Sequence, residues 1–162
     1  MDLISELGAL AWGSRLKRLS DLIMKQASAV YQSYGIEFEP KWFPLFYLLA
    51  QKQEMGIMEI AEKLQVTHPA VIQIAKELEK KGWVTSKKSG DDGRKRILKL
   101  TKKGLDFLPQ LQNIWQDIRA VNEALLSQRN YLLLPAVEEL EQVLTEKEYI
   151  QIFKEFHQNK TH

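Results

Sequence analysis

The 162-residue chain is expected to fold as a mainly α-helical protein with one small β-hairpin. Three observations predict this. Apolar residues recur at three- and four-residue steps over most of the length, the signature of helices with one buried face. That period fails near residues 83–100, where two short β-prone runs flank a glycine-punctuated turn. Leu, Ile, Val and Phe together number 48, and 27% of residues are charged, a balance that supports a packed core and opposes disorder. The length suits one domain, or two small ones in close association.

Taken in order, residues 2–34 carry the stripe Leu3, Leu7, Leu10, Trp12, Leu16, Leu19, Ile23, Ala27, Val30 and Tyr34, which predicts one long helix ended by Gly35. A helix that long exceeds what a small domain's own core can cover, so packing against a second chain is expected. Pro40 to Lys52 is the next helix, with Pro44 tolerated in its first turn. Its run Trp42-Phe43-Pro44-Leu45-Phe46-Tyr47-Leu48-Leu49 is apolar nearly all round and is expected to be buried. A short helix over Ile57–Gln65 follows, with Gly56 as N-cap. A third begins at Thr67, has Pro69 in its first turn and ends at Gly82.

Residues 83–88 and 95–100 then read as two strands, joined by the turn-rich Ser89-Gly90-Asp91-Asp92-Gly93-Arg94. Thr101 is the expected N-cap of another long helix bearing Leu105, Leu108, Leu111, Ile114 or Trp115, Ile118, Val121 and Leu125, kinked at Pro109. After a turn near residues 128–130 comes a helix with Val137, Leu140 and Leu144. Thr145-Glu146-Lys147-Glu148 reads as a capping box for a last helix with Tyr149, Ile150, Phe153 and Phe156.

Composition removes several classes of function. With no cysteine there is no disulfide, iron–sulfur cluster, thiolate zinc site, cysteine nucleophile or thiol redox switch. Three scattered histidines, His68, His157 and His162, offer no metal set. No phosphate loop, nucleophile elbow or catalytic carboxylate motif is present, so neither an enzyme nor a cofactor is expected. The start Met1-Asp2-Leu3-Ile4-Ser5-Glu6 lacks the basic opening of a secretory signal. The longest apolar run, Trp42 to Ala50, falls short of the about 20 residues of a membrane span. A cytoplasmic protein without membrane association is expected.

Charge is unevenly placed. The net value is +2, yet residues 76–103 hold 11 basic and 4 acidic side chains, whereas residues 105–162 hold 5 and 9. A short segment this basic points to a face that meets a polyanion. The order short helix, tight turn, helix, basic hairpin is a winged helix–turn–helix. Small Ala61 lets the second helix cross closely, and Val71, Ile74, Ala75 and Leu78 face inward. His68, Pro69, Ala70, Ile72, Gln73 and Lys76 are left toward solvent. A DNA major groove, about 12 Å wide, admits one such helix.

The stretch from Ile57 to Gly104 resembles the winged-helix domain of MarR-family transcription regulators. The resemblance rests on Ala61, on Leu78 before Glu79-Lys80-Lys81-Gly82, on Asp92-Gly93-Arg94, and on Leu100-Thr101 with Gly104. Thr67-His68-Pro69-Ala70-Val71 and the upstream Phe38-to-Pro44 segment further resemble the MarR-like half of proteins fused to GNAT-type acetyltransferases, although no acetyl-CoA-binding candidate is present. The resemblance implies a homodimeric, double-stranded-DNA-binding transcription regulator. Residues 1–34 would form an N-terminal dimerisation helix, 35–104 the DNA-binding lobe and 105–162 a C-terminal helical dimerisation region.

It also implies roles. Arg94 is expected to enter the minor groove from the wing, held by Asp92, with two or three of Lys87, Lys88, Lys95 and Arg96 meeting phosphates, since strand alternation points the rest away. On the recognition helix, Gln73 is suited to adenine and Lys76 to phosphate or guanine. Thr67 and His68 lie at its N-terminus, where backbone N–H groups favour phosphate, and Pro69 and Ala70 offer apolar contact. Trp12, Trp42, Phe43, Tyr47 and Trp115 either pack in the core or line a pocket for a small aromatic effector. A second functional reading treats the winged helix as a protein-interaction module without regulatory DNA binding, which leaves the basic hairpin without a purpose.

Overall fold

The computed structural model of the chain describes residues 2–88, 96–127 and 132–160. Its helices are α1 (Leu3–Glu6), α2 (Trp12–Ser33), α3 (Phe43–Lys52), α4 (Ile57–Leu64), α5 (His68–Lys80), α6 (Lys102–Ser127), α7 (Leu133–Glu146) and α8 (Tyr149–Lys160). Its strands are β1 (Glu54–Gly56), β2 (Val84–Lys88) and β3 (Arg96–Leu100). Short 3-10 turns precede α2, at Gly8–Ala11, and α3, at Pro40–Trp42. Residues 1–114 and 115–162 form two compact units, so α2 and the helix–turn–helix share the first unit.

The expected single helix over 2–34 is instead broken near its start. Gly8 takes a φ of +54°, which ends α1 after one turn, although the apolar stripe runs on through the break. Asp2 caps the short α1, and Arg18 of α2 donates to its carboxylate at 2.7 Å, pinning α1 back on α2. At the far end of α2 the chain turns as expected. The Ile36 N–H donates to the Tyr31 carbonyl at 3.0 Å and leads into the segment that carries Phe38.

Phe38 is the centre of the first unit's core. Its ring lies 5.0 Å from Tyr31, 5.7 Å from both Trp42 and Phe46, and 6.0 Å from Trp83. Trp83 in turn stacks on Phe107 of α6 at 4.7 Å. Leu45, Phe46 and Leu49 bury one side of α3, while Phe43 and Tyr47 stay partly exposed, so α3 is not covered all round. Ile60 and Ala61 of α4 and Val71, Ala75 and Leu78 of α5 complete this core, with Ile74 half-buried.

Strand β1 was not expected, being only three residues long. It exists because β3 pairs on both edges: the sheet order is β1-β3-β2, all antiparallel, with Met55 opposite Leu98 and Lys88 opposite Arg96. Of the expected strand at 95–100, β3 takes Arg96–Leu100, and Lys95 lies outside the described residues.

Thr101 caps α6 as expected. Its hydroxyl oxygen accepts from the Gly104 N–H at 3.1 Å and its O–H donates to the Gly82 carbonyl at 2.6 Å. α6 continues as helix through Pro109. In the second unit the expected capping box at Thr145 does not form. α7 runs on to Glu146, and the Thr145 hydroxyl donates back to the Glu141 carbonyl at 2.7 Å, a bond available only inside a helix. The turn expected at residues 128–130 lies outside the described residues. No helix among the described residues is long and apolar enough to cross a membrane.

Candidate nucleic-acid interface

The second helix of the helix–turn–helix is built so that its outer face is free. Thr67 caps α5 by accepting the Ala70 N–H, and Pro69 sits in the first turn, where no backbone donor is lost. Because Val71, Ala75 and Leu78 point into the core, Pro69, Gln73, Lys76 and Lys80 line up on the opposite side, and all four are exposed. Thr67 and His68 are exposed at the helix start, with Ala70 and Ile72 at the margin. Lys80 extends this stripe by one turn. The sequence reading passed over it, although its four-residue step from Lys76 was visible.

Lys76 has no acidic partner among the described residues, whereas the Gln73 amide, one turn before Glu77, is among the groups that lower the pKa of that carboxyl. Glu77 accepts from Lys41 Nζ at 2.8 Å and from Trp42 Nε1 at 2.6 Å. These bonds, Lys41's first, hold the Glu77 carboxyl below its ordinary value of 4.5.

The hairpin cations are engaged in different ways. Lys87 pairs with Glu54 of β1 at 2.8 Å, and that ammonium lowers the Glu54 pKa. Arg96 turns toward α5, where its Nη2 donates to both oxygens of Glu79 at 2.8 and 2.7 Å. Lys88 is placed by its backbone at the far end of β2, opposite Arg96. Arg94, Lys95 and Asp92, expected at the hairpin tip, lie outside the described residues.

Of the five aromatic residues considered for a pocket, four lie in the first unit. Trp42 is buried beside Phe38, Phe43 and Tyr47 form a ring pair at 5.5 Å, and Trp12 lies partly exposed at the start of α2. Trp115 belongs to the second unit. A cleft of about 850 Å³ does open between the end of α2, the 35–42 segment and the end of α5, and Trp42 is the one of the five that lines it. Its other walls include Gln32, Lys41, Glu77 and Lys81, so it is charged on both sides.

The MarR-family sequence model matches residues 41–95, which covers α3 through β2 and stops before β3. SarZ, an HTH-type transcriptional regulator of Staphylococcus saprophyticus, is 30% identical over 96 residues, spanning 58% of this chain and 66% of that protein. The transcriptional repressor MprA of Escherichia coli is 36% identical over 78 residues, 43% of this chain and 44% of that protein. The chain thus spans about half to two-thirds of the length of these curated relatives. Among solved structures, reduced AbfR bound to DNA superposes with a TM-score of 0.66 at 21% identity, covering 85% of this chain and 93% of that one. That likeness extends the winged-helix fold to most of the chain.

Proposed function

With residues 41–95 belonging to the MarR family, we propose that this protein is a homodimeric transcription regulator that binds double-stranded DNA. In this reading α5 enters the major groove and the β2–β3 hairpin, as a wing, enters the adjoining minor groove. The observation that carries it is the exposed stripe Pro69, Gln73, Lys76 and Lys80 on α5, set beside a hairpin within the most basic segment of the chain. Gln73 presents an amide suited to adenine, and Lys76 an ammonium with no acidic partner among the described residues, suited to phosphate or to guanine. The relatives named as transcriptional regulators, and the DNA-bound structure of similar fold, support the same reading.

Apolar surface that each unit leaves uncovered supports the dimer. In the first unit Leu16, Leu19 and Ile23 of α2 are all more than 40% exposed. In the second, Ile150, Phe153 and Phe156 of α8 are likewise open. Such stripes favour a partner with the same stripes. Two copies of α5 would then read two half-sites about one DNA turn apart.

Selection of bound duplexes from a random pool, followed by a salt titration on the best sequence, tests the proposal. A palindromic site is expected. With about 6–10 phosphate contacts, affinity should fall roughly 10³–10⁵-fold between about 50 and 200 mM salt. Enrichment of no duplex, or an interaction indifferent to salt, overturns the proposal in favour of a protein-interaction module.

A further inference from the structure

We infer that Glu79 is a positioning residue for the wing: by gripping Arg96 it sets the angle of the hairpin against α5, and Arg96 is an internal strut instead of a phosphate contact. This rests on the DNA-binding reading and assigns a part within it. Among the described residues, Arg96–Glu79 is the one ion pair that joins α5 to the β2–β3 hairpin. It is also the most sheltered ion pair there, with side chains 34% and 24% exposed.

The placement gives the pair leverage. The base of the hairpin is fixed by the turn after α5, where the Trp83 N–H donates to the Leu78 carbonyl at 3.1 Å and the Thr101 N–H donates to the Trp83 carbonyl at 2.9 Å. Arg96 stands four residues up β3 from Leu100, which pairs with Val84 at that base. At strand rise the separation is about 13 Å. β1 holds the free edge of β3 as far as Gly56 opposite Ile97, and the Arg96–Glu79 pair adds the direct tie from the far end of that strand to α5, about 13 Å from the base.

The chemistry argues against a second use for the same guanidinium. Nη2 already serves both carboxylate oxygens, and a phosphate approaching it would face the Glu79 charge as well. Charge-assisted bonds to Arg in a sheltered place are among the stronger polar contacts, whereas exposed pairs contribute little.

The test compares Glu79→Gln, Arg96→Ala and the double variant for binding to a selected duplex and to a scrambled one across a salt series. Thermal melts confirm that each variant is folded. The strut predicts that each single variant loses about tenfold in specific affinity, and that the double variant loses no more than either single. Scrambled-duplex binding and the salt slope should stay at their wild-type values. Arg96→Ala lowering the salt slope by about 0.9 would make Arg96 a phosphate contact and overturn the inference. So would Glu79→Gln binding the selected duplex as tightly as, or more tightly than, the parent, because a released Arg96 would then be gaining phosphate. Losses that add in the double variant overturn it too. Wild-type protein that binds no duplex overturns the DNA reading itself, and the inference with it.

Discussion

Gly104 and Trp83 meet with no room between them: a β-carbon added at Gly104 would stand 2.2 Å from the Trp83 carbonyl oxygen. The first turn of α6 therefore passes directly over the start of β2. The contact that glycine allows is what brings Phe107, one turn on, into its stack with Trp83. The atom in the way is backbone, so no side-chain rotation relieves the clash.

Gly104→Ala is accordingly expected to destabilise the protein by about 1–3 kcal/mol or more, as overpacked cores do. Urea unfolding followed by tryptophan fluorescence measures it. A midpoint equal to the parent's would mean that α6 shifts without cost.

Acid should unfold this protein in a way that Glu77 helps to set. The carboxyl's pKa is lowered in the folded state by Lys41 and then by Trp42, so its contribution to stability is present above the ordinary carboxylate range. That contribution is lost as pH falls below the ordinary value of 4.5 and through the depressed folded value. Glu37 and Glu54 are lowered by Lys81 and Lys87 and carry the same sign. Glu77→Gln should flatten the decline in melting temperature between neutral pH and this range. An unchanged slope removes Glu77 from the account.

Gln73 and Lys76 should fail differently. Gln73→Ala is expected to relax base preference at one position in each half-site, by about 1–3 kcal/mol, with little change in salt slope. Lys76→Ala should weaken binding to all sequences and reduce the slope by about 0.9 if its partner is phosphate. Parallel selections with the two variants separate the outcomes, and identical profiles would contradict the assignment.

Leu19→Glu places a charge in the exposed α2 stripe. Sedimentation velocity should show a shift toward monomer, with loss of high-affinity binding to a palindromic duplex. A dimer of parental strength would move the association surface elsewhere, with the α8 aromatics as the first alternative.

Helix α5 was legible in sequence because its features are local. A threonine cap, a proline in the first turn and apolar residues at three- and four-residue steps each act within a turn or two. What escaped notice is non-local. β1 has three residues and owes its existence to β3, more than forty positions away. The break at Gly8 is silent in the hydrophobic pattern, which continues undisturbed from Leu7 to Leu10. Thr145 has the sequence of a helix start and lies inside α7, because the chain around it stays helical to Glu146. The candidate interface divides in the same way. Exposure of Gln73 and Lys76 follows from period alone, whereas the engagement of Arg96 by a carboxylate seventeen residues earlier could be seen only in three dimensions.

Strand β1 ends at Gly56, the cap from which α4 starts, while its other side is bonded to β3. The helix–turn–helix and the hairpin are consequently two prongs of one casting. Torque delivered to either prong is passed to the other through β1 and through the Arg96–Glu79 pair. The lobe therefore acts as a caliper of fixed span, and in the proposed DNA-binding reading a duplex that does not match the gauge must itself bend.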